Sequence, residues 1–307
     1  MTIELPPVIS LYSFKGGAGR TLCTANLVGL LAHEIGATQD APIVLLDMDL
    51  DSAGLTIMLE QADAVGKRSL NMSKLMSGKT SLKGDENIVQ LKKEGLVDIS
   101  AEVDAPTGSV LFIGAEPVGH KAEPGKASMG DSMVALLEAF YACQVSAVVM
   151  DCASGLQPVA DLARQLSKLI VYCCRLTGQF LWGTNMELKL FVRNSAVDER
   201  PNILILPVAI PDPKDNKTFQ NHFEVAMFEL GRLEMDLSIL ANTFLFRNGI
   251  CEVQLFKWDE KVLSLVEKSG ELSSDENSAL TSFRQLATKV VEMSGLAHGQ
   301  KREPSVN

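Results

Sequence analysis

The chain alternates short, unbroken apolar runs with longer stretches in which apolar residues recur every three or four positions. The runs are the β-rich segment 8–14, then Ile43–Asp47, Val110–Ile113, Ala147–Asp151, Leu169–Cys173 and Asn202–Val208. Their apolar character is continuous rather than alternating, as in strands covered on both faces. Helical spacing follows over 21–35, 131–143, 157–167, 179–193 and 280–294. A repeated βα pattern of this kind predicts an α/β fold, a three-layer α/β/α sandwich around a mostly parallel central sheet.

Two regions break the rhythm. Residues 60–109 are richer in charge, Gly and Ser, and are expected to hold short helices and surface loops. Residues 211–250 open with Pro-Asp-Pro-Lys-Asp-Asn-Lys, a turn or mobile loop. A long helical stretch follows with Phe223, Val225, Met227, Phe228, Leu230 and Leu233. Its apolar content calls for packing, against the domain core first and a partner second. Residues 1–297 are expected to form one domain, with variable regions at about 60–109 and 211–250. The polar segment 298–307 is expected to be a flexible tail.

Composition narrows the function classes. The 307 residues are 46% hydrophobic, enough for a sizeable core, and carry a net charge of -10 with an isoelectric point near 5.0. That balance gives no general support for nucleic-acid binding. Lys67, Arg68, Lys74, Lys79 and Lys83 form a modest basic cluster that reads as a solvated face. Six cysteines lie mostly in apolar runs, without paired C-x-x-C spacing, so buried thiols in a reducing cytoplasm are expected rather than a zinc site. The chain opens on no basic-apolar leader, and no apolar stretch reaches the roughly 18 residues that a membrane span needs.

The chemistry begins between the first strand and the first helix, at Lys15-Gly16-Gly17-Ala18-Gly19-Arg20-Thr21. Glycines let such a turn curl and aim its amides at an anion, and the helix that follows adds its free N–H groups. The usual phosphate-loop pattern, G-x-x-x-x-G-K-[ST], is not met: arginine stands at the lysine position, and a lysine stands at the front of the loop. Arg20 can still neutralise β- and γ-phosphate charge, though a planar guanidinium changes the geometry. Thr21 offers a hydroxyl to magnesium. Asp47, Asp49 and Asp51 close the second strand, at the sheet edge where such folds place ligands. If that strand persists, Asp47 and Asp49 share a face; a solvated strand end with capping aspartates is the plainer reading. Asp151 ends a later strand ahead of Gly155 and can hold magnesium directly or through water. A simple turn aspartate is the alternative.

These elements resemble the deviant phosphate-loop ATPases of the ParA/MinD group, and within it a bacterial subgroup with K-G-G-x-G-R-[ST] loops. Leu46–Leu55 is similar to that subgroup's D-x-D-L-x-x-x-G-L element, and Asp151–Leu156 to its D-x-x-x-G-L segment. Arg175–Thr184 has the character of its post-strand segment. Phe256–Val262 resembles a late P-x-D-E-x-V motif with lysine in place of proline. The likeness runs over about residues 8–295.

The resemblance implies a P-loop NTPase fold and an enzyme that hydrolyses ATP with Mg2+. It makes Lys15 the signature lysine, reaching across a nucleotide-sandwiched homodimer to the partner's ATP. The turn Gly16, Gly17, Ala18, Gly19, Arg20, Thr21 and Leu22 would bind the nucleotide, with Leu22 where many relatives carry a second threonine. Thr21 and Asp151 would hold the metal, Asp49 would orient the attacking water, and Asp47 would support the site. Such proteins act as slow cytoplasmic switches that recruit a partner protein. The subgroup points toward a signalling or defence system. A nucleotide-binding scaffold with little or no hydrolysis is the second reading, and a kinase or amide-forming enzyme a third. No strongly basic surface or terminal basic amphipathic helix supports direct binding of DNA or membrane.

Overall fold

A computed structural model describes residues 5–82, 87–116, 126–155, 157–197, 200–210, 217–251 and 274–297. Lys83, Leu156, residues 211–216, the late motif at 256–262 and residues 298–307 lie outside the described residues. Among them the strands are β1 (Val8–Tyr12), β2 (Ile43–Met48), β3 (Val97–Asp98), β4 (Val110–Ile113), β5 (Ala147–Cys152), β6 (Leu169–Cys174), β7 (Asn202–Ile210), β8 (Thr243–Leu245) and β9 (Ile250–Cys251). They form one sheet in the order β3-β4-β2-β5-β1-β6-β7-β8, with β9 also on β7. Only the β3–β4 pair is antiparallel.

The helices are α1 (Arg20–Ile35), the short α2 (Gly54–Met58), α3 (Ala62–Gly66), α4 (Met72–Met76) and α5 (Ile88–Glu94), then α6 (Lys126–Ala142), α7 (Pro158–Leu166), α8 (Gly178–Asn194), α9 (Lys217–Ser238) and α10 (Ser274–Ser294). Alternate strand residues feed two apolar layers. Val8 and Tyr12, Val44 and Leu46, and Val148 and Met150 face α6, α7, α8 and α9. Ile9 and Leu11, Ile43 and Leu45, and Ala147 and Val149 face α1 and α10. Both faces of the central strands are therefore covered, which is why their sequences run apolar without a break.

The irregular region 60–109 holds three of the short helices, as its composition suggests, and also β3. The α9 stretch packs Ala226, Leu230, Leu233 and Leu237 against the core. The three shortest strands, β3, β8 and β9, are not evident in the sequence pattern. With two or three residues each, they leave no periodicity to detect.

Candidate functional site at the carboxyl edge of the sheet

The order β2-β5-β1 brings the ends of three parallel strands together, and β1 leaves the sheet into the glycine turn. Gly17 and Gly19 take φ of 81° and 85°. These left-handed values favour glycine over any residue with a side chain. Gly19 caps α1 with no side-chain hydrogen bond, so the first-turn amides of that helix stay available to an anion. Lys15, Gly16 and Gly17 are exposed, whereas Ala18 and Arg20 are buried. Thr21 is half-buried in the first turn. Leu22 is half-buried with its side chain packed against the α1-side core, so only its backbone is free to serve a ligand.

Pleating sends Asp47 and Asp151 to the same face of the sheet, the α1 face, and the two are paired in register on β2 and β5. Strand β2 stops at Met48, so the alternation expected to align Asp47 with Asp49 does not reach Asp49. The two aspartates take different positions. Asp47 is fully buried and accepts from Thr56 N at 2.9 Å, the Thr56 hydroxyl at 2.7 Å and Asp49 N at 3.1 Å. Burial, reinforced by the charge of Asp151, pushes its carboxyl up to about 7 against those three hydrogen bonds. Asp49 lies at the rim, with its carboxylate 3.1 Å from Arg20 Nη2. Gln157 Nε2 donates to Asp51 at 3.2 Å, tying the loop after β2 to the loop after β5.

Arg20 binds carboxylates. Its Nε donates to Asp151 Oδ1 at 2.8 Å while Nη2 reaches Asp49, so one guanidinium bridges the ends of β2 and β5. Burial works against its charge, but Asp151 and Asp49 outweigh that, and its pKa stands above the ordinary arginine value. Thr24, one turn into α1, donates to Asp151 Oδ1 at 3.2 Å. Asp151 Oδ2 is buried with no hydrogen-bond partner among the described residues. Such an atom is costly unless something else satisfies it. One arginine against three aspartates also leaves the cluster short of positive charge.

Lys15 sits at the front of the turn and donates to Gln179 Oε1 at 3.2 Å, at the start of α8. Sequence reasoning did not single out Gln179, Thr24 or Thr56. Thr24 lies four residues after Arg20, one helical turn on, and that spacing is the signal that could have found it. Gln179 and Thr56 carry no such mark.

No protein-family model and no curated protein matches the chain. Solved structures do. The septum site-determining protein MinD of Pyrococcus horikoshii, complexed with Mg-ADP, superposes with a TM-score of 0.59 at 14% identity, over 94% of this chain and 99% of that one. An aspartate-to-alanine variant of Cyanothece McdA in complex with ATP superposes at 0.65 and 14% identity, over 98% and 100%. MinD in the Aquifex aeolicus MinC:MinD complex superposes at 0.59 and 15% identity, over 96% and 98%. The chain therefore has the three-layer α/β/α fold of these MinD and McdA structures, as its βα pattern led one to expect.

Proposed function

We propose that the chain is an ATP-binding, slowly hydrolysing switch whose nucleotide-bound form pairs with a second copy and engages a partner protein, in a bacterial signalling or defence system. One observation carries this reading: a glycine turn and helix N-terminus open beside a buried aspartate oxygen that lacks a partner. The solved structures of this fold that hold Mg-ADP or ATP support the choice of ligand.

The residues fit a divalent ion. Among the described residues no group of three His, Cys, Asp or Glu side chains is arranged to hold a metal. The buried, unpartnered Asp151 Oδ2 suits such an ion, which would rest on Thr21 and, through water, Asp151, with nucleotide phosphates completing its shell. That is how Mg2+ commonly binds. When bound, it supplies charge neutralisation across the β- and γ-phosphate oxygens. The chain does the rest. Turn amides from Gly16 to Thr21 hold phosphate oxygens, Asp49 at the rim orients a water for attack, and Asp47 fixes Asp49 through its backbone amide. Lys15, exposed beside α8, reaches the second copy's nucleotide in this reading. Cys23, Cys152, Cys173 and Cys174 are buried and form no disulfide, and burial pushes Cys152 and Cys174 up to about 12, as suits inert thiols in a reducing cytoplasm. Among the described residues no helix is long and apolar enough to cross a membrane.

The Arg20 bridge favours a second reading, a scaffold that holds nucleotide and rarely hydrolyses it. Two of this guanidinium's five N–H donors are already committed to carboxylates, which leaves fewer for phosphate oxygens. Phosphate release and light scattering on the same sample separate the readings. A switch doubles its mass with ATP and releases phosphate slowly. A scaffold binds ATP with no release, and a folded protein that neither binds nor doubles is neither.

A further inference from the structure

Helix α9 carries two apolar stripes. Ala226, Leu230, Leu233 and Leu237 form the buried one. The other, on the opposite side, is Val225, Phe228, Arg232, Met235 and Ile239, the last just beyond the helix end. Its spacing of three, four, three and four is that of a coiled-coil seam. The four apolar members are 63%, 66%, 70% and 83% exposed. An amphipathic helix on a globular surface normally turns polar residues outward. Four large apolar side chains in heptad register on the outward crest mark an interaction surface.

We propose that this crest is the docking seam for an amphipathic helix of a partner protein, with apolar residues in heptad spacing, an acidic residue facing Arg232 and basic residues on its flanks. Charge selects that occupant. Arg232 sits at the centre of the stripe, and among the described residues its exposed guanidinium has only a loose contact, 3.8 Å, with Glu229. The flanking positions are Glu224, Glu229 and Asp236, of which Asp236 is already held by Lys189 at 2.7 Å. A second copy of this chain would set Arg232 against Arg232 and acids against acids in either helix orientation. An anionic membrane would meet one arginine among three acids, the reverse of what a lipid-binding helix offers. The seam goes beyond the nucleotide switch: it stands on the helix alone and holds whether or not the site hydrolyses ATP.

The test uses the full chain and a fluorescent three-heptad peptide with Leu at the seam, Lys on the flanks and Glu at the central seam position, plus a twin with Lys at the centre. Anisotropy should show saturable binding that favours the Glu peptide, with and without ATP. Phe228→Glu and Met235→Glu should each weaken it at least about tenfold without lowering the melting temperature, and Arg232→Glu should reverse the peptide preference. The proposal is overturned by absent or charge-blind binding. It is equally overturned by a melting temperature that falls with Phe228→Glu, which would make the crest part of the chain's own core, or by a dimer that Phe228→Glu abolishes. Peptide binding by a chain that binds no ATP would uphold the seam and remove the switch.

Discussion

Arg20 and Arg164 lie on opposite faces of the sheet, both buried and both between two carboxylates. Arg20 has Asp49 and Asp151; Arg164 has Asp161 and Glu187. Around Arg164 the acceptors are taken. Glu187 Oε1 lies 3.2 Å from Arg164 Nη1 and 2.6 Å from the Tyr12 hydroxyl, and Oε2 accepts from Tyr172. The guanidinium rests 4.5 Å from the Tyr12 ring centre and 5.4 Å from that of Phe191. Around Arg20 an aspartate oxygen is orphaned, a third carboxylate crowds in, and an exposed glycine turn adjoins. A cavity of about 810 Å3 opens on the Arg164 side, walled by Phe14, Met186, Leu190 and Phe191. Burial and pairing do not distinguish a site from a structural cluster; unmet acceptors and surplus charge beside an open loop do.

The comparison breaks most readily at Glu187. Glu187→Ala strands Arg164 and the hydroxyls of Tyr12 and Tyr172, so the fold should lose about 3–5 kcal/mol in denaturant titration. The surviving folded protein should bind ATP within about threefold of wild type. The Tyr12 hydroxyl also lies 2.7 Å from the Gly155 carbonyl, in the loop after β5. A large loss of ATP affinity with stability retained would therefore move this cluster into the site.

Arg20→Lys sharpens the other side. Lysine carries its donors on one atom and loses the fork that spans Asp49 and Asp151, so hydrolysis per bound ATP should rise about tenfold, or about 1.4 kcal/mol. Slower phosphate release would show that Arg20 serves the phosphates where it stands.

The smallest effect is on pH. With its pKa raised to about 7 in the fold, Asp47 binds a proton there that the unfolded chain has already lost. Its contribution to stability is complete below the unfolded value near 4 and disappears as pH rises through about 7. Between pH 6 and 8 the wild type should lose about 1 kcal/mol more than Asp47→Asn. Parallel pH curves for the two would place Asp47 outside the charge surplus.

Much of this site is legible in the chain because its parts are local: a glycine turn after a strand, and aspartates where apolar runs end. Asp151 and Asp47 meet through strand register; βα order anticipates only that both lie at the carboxyl edge of the sheet. The Arg20 bridge was not legible, since a guanidinium facing both phosphates and carboxylates has its partner settled only by packing. The Tyr12–Glu187–Arg164 cluster was hidden for a different reason. Tyr12 lies 175 residues of chain from Glu187, Arg164 and Glu187 sit on different helices, and each reads singly as an ordinary residue of a strand or helix. The α9 crest was half legible: its apolar content was plain, but which stripe is buried depends on how the helix is rolled on the core.

The central claim is that the edge around Asp151 accepts a magnesium-bound nucleotide. Calorimetric titration of ATP into the wild type and Asp151→Asn, each with magnesium and with chelator, tests it directly. The wild type should bind ATP with magnesium and lose at least about tenfold in affinity with chelator, and Asp151→Asn should lose that magnesium dependence. A folded wild type that gives no heat, or the same affinity in all four titrations, would contradict the account.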